Sequence, residues 1–272
     1  MKEDGIGPGQ IIRRKQDGAL EYDHDELTIE EPLEIRIGDQ TVATTMRTPG
    51  HDEELAAGFL LSEAILKSGD KIDNFSRPEA ARNRENIIVV DFAGAKGIKL
   101  NAAQRSGTIL SSCGLCGKDS IEAIRQNFSA IPPNDFRIDI QMLLSLPDKL
   151  RANQSDFART GGIHAAGIFD ANGTASIVRE DIGRHNAVDK VIGRAFLDGK
   201  LLLDRHLLLV SGRASFEIMQ KALAAGIPIV ASVSAPSSLA MDFCREMNQT
   251  LIGFLRPPSF NIYSHVERVI LD

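Results

Sequence analysis

The regular alternation in the second half of this chain limits its fold more than any other feature. Short apolar, β-branched runs at Ile163 to Phe169, Thr174 to Arg179, Leu207 to Val210, Ile227 to Val233 and Thr250 to Leu255 read as strands. Between them, Arg184 to Leu197, Ser215 to Ala225 and Ser238 to Met247 carry helical periodicity. Strand and helix in turn predict an α/β layered fold, in which ligands sit beyond the carboxyl ends of the strands and helix N-termini point N–H donors outward.

The first half reads as smaller and β-rich. Residues 1–26 are expected to be mostly a flexible arm, with a glycine-rich start ending Gly7-Pro8-Gly9 and order setting in near Gln10. Leu27 to Ile37 alternates, and Gly38-Asp39 turns it back into Thr41 to Arg47, a hairpin pattern. Asp52 is expected to cap a helix reaching Leu66, with Leu55, Phe59, Leu60 and Ala64 on one stripe. Gly69 to Arg84 reads as loop and Asn86 to Phe92 as a strand. Pro132-Pro133 marks a boundary, followed by a helical hairpin from Gln141 to Phe157. The expected organisation is an N-terminal domain over residues 27–135 and an α/β domain over residues 136–272.

At 272 residues the chain can bury a sizeable core. A formal charge of −6, no Trp and two Tyr argue against a nucleic-acid partner. No run of about 18 apolar residues and no basic leader occurs, so the expectation is a soluble cytoplasmic protein without a membrane span. Three cysteines, an odd and low count, suit a reducing compartment.

Chemistry concentrates in four places. Cys113-Gly114-Leu115-Cys116, flanked by glycines and followed by a helix-like start, is suited to a metal, a redox disulfide or a persulfide. The third cysteine, Cys244, stands alone, which leaves a zinc site short of ligands, and no metal is expected. Val178 to Asn186 packs Arg179, Glu180, Asp181, Arg184, His185 and Asn186 into one strand-end loop, either an internally satisfied salt-bridge turn or an anion or nucleobase site with Arg184 on a phosphate. Ser211-Gly212-Arg213-Ala214-Ser215-Phe216 offers hydroxyls, backbone donors and an Arg fork but lacks the P-loop form. Ser232 to Ser238 is a third loop of this kind, equally readable as a serine helix cap. His51 and His164 follow glycine-bearing turns and read more readily as structural than catalytic.

These segments, in order with Arg47-Thr48-Pro49-Gly50-His51-Asp52-Glu53-Glu54-Leu55, Thr160-Gly161-Gly162-Ile163-His164-Ala165-Ala166 and Ser234-Ala235-Pro236, resemble the formate dehydrogenase accessory sulfurtransferase family, FdhD. The resemblance spans about Leu27 to Tyr263. It implies a C-terminal three-layer domain of cytidine-deaminase type without deaminase chemistry, since His164-Ala165-Ala166 lacks the glutamate and Pro236-Ser237-Ser238 the cysteines of that signature. It further implies a sulfurtransferase that accepts persulfide sulfur from a cysteine desulfurase. The sulfur goes to the molybdenum bis(molybdopterin guanine dinucleotide) cofactor of formate dehydrogenase, with guanine nucleotide as a mimic. Carried over, Cys113 is the persulfide carrier and Cys116 its helper, and Phe254-Leu255-Arg256-Pro257-Pro258-Ser259 matches the cofactor-contacting segment. Arg184, Arg213 and Arg256 fit phosphates, Ser211 and Gly212 the loop beneath them, and Asp181 a guanine edge. A cofactor with two nucleotide arms suits a homodimer. The other reading is a chaperone that shelters and inserts the cofactor without transferring sulfur.

Overall fold

A computed structural model describes residues 5–95 and 127–271. Cys113 and Cys116 therefore lie outside the described residues. The second half forms the expected layers. Strands β8 (His164–Phe169), β9 (Ala175–Asp181), β10 (Leu207–Val210), β11 (Ile229–Ser232), β12 (Thr250–Arg256) and β13 (Ser259–Ser264) make one sheet in the order β13-β12-β11-β10-β8-β9. Strands β10, β11 and β12 run parallel, while β8 is antiparallel to both β9 and β10. The carboxyl ends of β9, β10, β11 and β12 thus share one edge of the sheet.

Side chains alternate across this sheet as strand geometry requires. Ile168, Leu208, Val210, Val230 and Leu251 face a core shared with α4 (Arg184–Leu197), α5 (Phe216–Ala224) and α6 (Ser238–Glu246). Phe169, Leu207, Leu209, Ile229, Ala231 and Ile252 face α2 (Ile140–Arg151). Asp139 caps α2 by accepting from the N–H groups of Gln141 and Met142, and the short α3 (Ser155–Thr160) follows.

In the first half, β3 (Glu31–Ile37), β4 (Gln40–Arg47), β5 (Ile72–Ser76) and β6 (Ile87–Phe92) form a sheet in the order β4-β3-β6-β5, with α1 (Asp52–Ser62) beside it. The first core continues without a break through Leu33, Ile35, Val42, Ile88 and Val90 into this sheet. Helices α1 and α4 cross backbone to backbone. A Cβ on Gly58 would stand 1.9 Å from the Asp189 carbonyl oxygen, and one on Gly193 would stand 1.8 Å from that of Glu54. Only glycine permits that approach.

Three expectations need correction. The arm is not an arm over its visible length: β1 (Ile6–Arg14) and β2 (Leu20–Thr28) form an antiparallel hairpin. Cross-strand pairs Arg13–Asp23 at 3.0 Å and Lys15–Glu21 at 2.6 Å hold it, and Thr28 hydrogen-bonds Thr160 to dock it on the second half. Helix α1 stops at Ser62, where Ala64 turns left-handed at φ 56°. Its N-cap is His51, while Asp52 lies inside the helix with its carboxylate held by Arg47 at 2.9 Å and Arg77 at 2.7 Å. Strand β5 falls within the stretch expected as loop. Short β7 (Ile138–Asp139) pairs with β14 (Val269–Ile270) to complete the fold.

Candidate functional site

The strand-end loops singled out in the sequence meet along the shared carboxyl edge. His164 pairs with Asp181 across β8 and β9, and Val210 pairs with Ala166 on one side and Ser232 on the other. The Phe254 N–H donates to the Ser234 carbonyl, which brings β12 to the same edge. From β9 to β12 the edge is about 19 Å wide at the usual strand spacing, so the predicted residues line an extended face rather than one tight pocket.

Most of the charged segment at the end of β9 is consumed by the chain itself. Arg179 makes a two-pronged contact with Glu54 at 2.6 and 2.8 Å. Glu180 accepts the N–H groups of Asp156 and Phe157 at 2.9 Å, capping α3. Asp181 is fully buried, and its carboxylate accepts from Lys190 at 2.7 Å, Gly183 at 2.8 Å, Asn186 at 3.0 Å and Thr48 at 3.2 Å. Both of its oxygens are therefore occupied, and the expectation that it reads a guanine edge fails. It ties the Thr48 turn to the start of α4 instead. Thr48 reciprocates by accepting the Ile182 N–H through its hydroxyl and Lys190 through its carbonyl. This explains why the Arg47 to Leu55 motif accompanies the Glu180 to Asn186 motif: each is the other's hydrogen-bond complement.

Arg184 is the exception. It is half-buried, and its Nε has neither water access nor a hydrogen-bond partner among the described residues. Its Cδ and the His164 ring both stand 3.3 Å from where a Cβ on Gly212 would be, so the glycine lets a loop, an imidazole and a guanidinium converge. Arg184 also lines a cavity at a helix start, where its charge and the helix N-terminus favour an anion.

Two cavities meet at this point. The smaller, about 250 Å³, runs between β4 and α4 and is lined by Thr44, Met46, His164, Arg184, His185 and Glu217 among others. The larger, about 610 Å³, includes Arg151, Gln154, Gly162, Ser211 and Val233. His164 and Ile182 line both. Burial, then the Arg184 charge, lowers the His164 pKa, which favours its neutral form. Beneath the smaller cavity lies a buried chain of charges that sequence reading missed. Lys221 contacts Asp189 at 2.9 Å, and Ser62 donates to Asp189 at 3.0 Å. The available signal was an acid and a base on otherwise apolar faces of α4 and α5.

The other predicted residues divide. Ser211 exchanges hydrogen bonds with Ala165, its hydroxyl accepting the Ala165 N–H at 2.9 Å, and Arg213 is exposed. In the late segment, Phe254, Arg256, Pro257, Pro258 and Ser259 are exposed, and Arg256 Nε donates to the Val233 carbonyl at 2.9 Å. Leu255 is fully buried on the α2 side, so it packs rather than touching a ligand. His51 is half-exposed at the start of α1, its Nδ1 3.5 Å from Glu54. Among the described residues there is no group of three or more His, Cys, Asp or Glu placed to hold a metal, and no helix long and apolar enough to cross a membrane.

Fold and site together define a class: a three-layer α/β protein whose sheet edge gathers strand-end loops, two cavities and a partly buried arginine. The FdhD/NarQ family profile matches residues 28–270, and the chain belongs to that family. It is 48% identical over 268 residues to the sulfur carrier protein FdhD of Streptomyces avermitilis, covering 96% of this chain and 94% of the relative. It is 47% identical to that of Mycobacterium tuberculosis, with 89% and 91% covered, and 46% identical to that of Picrophilus torridus, with 90% and 92% covered. Among solved structures, that of a candidate formate dehydrogenase accessory protein from Desulfotalea psychrophila superposes with a TM-score of 0.77 at 23% identity, over 98% of this chain and all of the other. It shows the same fold.

Proposed function

We propose that this chain is a sulfur carrier that accepts a persulfide sulfur from a cysteine desulfurase in the cytoplasm. It hands the sulfur to the bis(molybdopterin guanine dinucleotide) molybdenum cofactor, its substrate, for the benefit of formate dehydrogenase. The observation that carries the reading is the edge at Arg184, a guanidinium on a cavity wall beside Gly212 and His164, in a family whose relatives are named sulfur carriers. A nucleotide-bearing substrate brings phosphates to meet Arg184, with Arg213 and Arg256 along the same face and Ser211 and Gly212 forming its floor. Exposed Phe254, Pro257, Pro258 and Ser259 extend that face, while Asp181 and Leu255 hold it in shape. A homodimer would offer one such face to each nucleotide arm.

In the chemical step the Cys113 thiolate attacks the outer sulfur of the donor persulfide, the donor leaves as a thiolate, and Cys113 holds the sulfane sulfur. On delivery the acceptor supplies the electron pair that bonds the outer sulfur, the S–S bond breaks and Cys113 leaves as the thiolate, with Cys116 as second acceptor. Intact-mass measurement after incubation with a cysteine desulfurase and cysteine tests the reading. One added sulfur that disappears in Cys113→Ala and persists at least in part in Cys116→Ala is the expected result. No added sulfur on any chain, with client activation still dependent on Arg184, would overturn it in favour of a cofactor-binding chaperone.

A further inference from the structure

Helices α5 and α6 both start at a serine, but the two serines do different things. Ser237 caps α6 in the usual way, its hydroxyl accepting the Ala240 N–H at 3.2 Å. Ser215, the N-cap of α5, makes no capping hydrogen bond. Its hydroxyl instead lies 3.1 Å from Nε2 of His185. The other ring nitrogen, Nδ1, stands 3.5 Å from a Glu217 carboxylate oxygen. Glu217 is in turn fixed from behind, its second oxygen 3.5 Å from Lys221, which Asp189 and Ser62 hold in place. A hydroxyl, an imidazole and a carboxylate stand in series, each oriented by the next.

We propose that Ser215, His185 and Glu217 form an acid–base triad that arms the Ser215 hydroxyl as a nucleophile toward carboxylic esters that carry a negative charge. The carboxylate favours the proton on Nδ1 and leaves the Nε2 lone pair facing Ser215, which is the arrangement a serine nucleophile requires. His185 is buried, and burial pushes its pKa down to about 4; Glu217 opposes this, while Lys221, Arg184 and His164 add to it. The imidazole is therefore neutral and able to accept a proton at physiological pH. The hydroxyl of Ser215 forgoes capping, so the first-turn N–H groups of α5 take no hydrogen bond from it, and the helix N-terminus and exposed Arg213, two residues back in the chain, favour negative charge there. In the reaction Oγ bonds to the ester carbon as its proton moves to Nε2. The tetrahedral intermediate then collapses and expels the alcohol, which takes that proton. Water, deprotonated by His185, then releases the acid and restores the serine. Nothing is oxidised or reduced.

An alkyl fluorophosphonate is the probe, since it forms an Oγ–P bond with loss of fluoride only at an activated serine. Incubated with the full chain and mapped by peptide mass spectrometry, it is expected on Ser215. The rate should be level above about pH 4 to 5 and fall as His185 protonates near pH 4. Ser215→Ala should remove the adduct, and His185→Gln should slow labelling about 100-fold or more, the usual share of a general base. A folded wild-type chain with no adduct at Ser215, or equal labelling in His185→Gln, overturns the proposal. The chain carrying Ser215→Cys gives a second reading that does not depend on how well Ser215→Ala folds. The thiol at position 215 should react with iodoacetamide at pH 6 faster than in the double variant Ser215→Cys/His185→Gln. Equal rates would overturn the triad.

Discussion

Removing the Lys221 ammonium should leave a carboxylate stranded in the core, and the structure bounds the cost. Asp189 is 2% exposed and Lys221 1%, with Nζ 2.9 Å from the carboxylate. At that separation and an effective dielectric of 20 the attraction is about 6 kcal/mol, most of it spent on desolvating the pair. In Lys221→Met the carboxylate has two options, to stay charged and unpaired or to take up a proton. At pH 7, protonating a group whose ordinary pKa is 3.8 costs about 4 kcal/mol, which caps the damage. Even with Lys221 present, burial pushes the Asp189 carboxyl up and the ammonium offsets only part of it. Lys221→Met should therefore lose about 3 to 4 kcal/mol at pH 7. Without Lys221 the folded pKa lies above the unfolded one, so the deficit is small below the unfolded pKa and grows as pH rises. At pH 5 it should shrink to under about 2 kcal/mol. Asp189→Leu should lose about 3 to 5 kcal/mol by stranding the ammonium, and the double variant Asp189→Leu/Lys221→Met should recover most of both losses. Urea titrations at pH 5 and pH 7 on the four chains give the cycle. Additive single losses, or a Lys221→Met deficit that does not depend on pH, would refute the account of a desolvated, mutually dependent pair.

Four other outcomes follow from the same structure. Gly193→Ala should destabilise by about 3 kcal/mol or more by thermal melting, since its Cβ would meet the Glu54 carbonyl oxygen at 1.8 Å. Gly38→Ala, in open space at φ 55°, should cost only about 1 kcal/mol. Glu54 is lowered to about 2 because, although burial works to raise it, the hydrogen bonds from His51 and Arg179 outweigh that effect. Its contribution, about 3 kcal/mol at most, is present above the ordinary value of 4.5 and lost as pH falls toward 2, so Glu54→Gln should flatten the acid limb of a denaturation profile. Arg184→Leu should weaken guanosine diphosphate binding about 10- to 100-fold by calorimetry, the worth of one charge-assisted hydrogen bond. A change under twofold would take Arg184 out of the site.

What could be read from the sequence was local. Leu207 to Val210 is a strand by composition alone, and Arg184 to Leu197 is a helix by periodicity; both have the expected bounds. The hairpin of β1 and β2 could not be read that way, because Gly7-Pro8-Gly9 argues for coil. What overrides it is the ladder across the two strands, with its ion pairs, and one non-local contact, the Thr28 hydroxyl on Thr160. The same division runs through the candidate site. Sequence spacing located a segment dense in charge at the end of β9, but whether a carboxylate serves the fold or a ligand depends on partners on other elements, some of them more than a hundred residues away. Thr48 and Lys190 claim Asp181, Glu54 claims Arg179, and the α3 amides claim Glu180. Within the strand-end loops this leaves Arg184 with one nitrogen unmatched and His185 turned toward Ser215. Buried hydrogen-bonding capacity that a chain does not use on itself is costly to keep, and among the strand-end residues it is Arg184, on the lining of the smaller cavity, that keeps it.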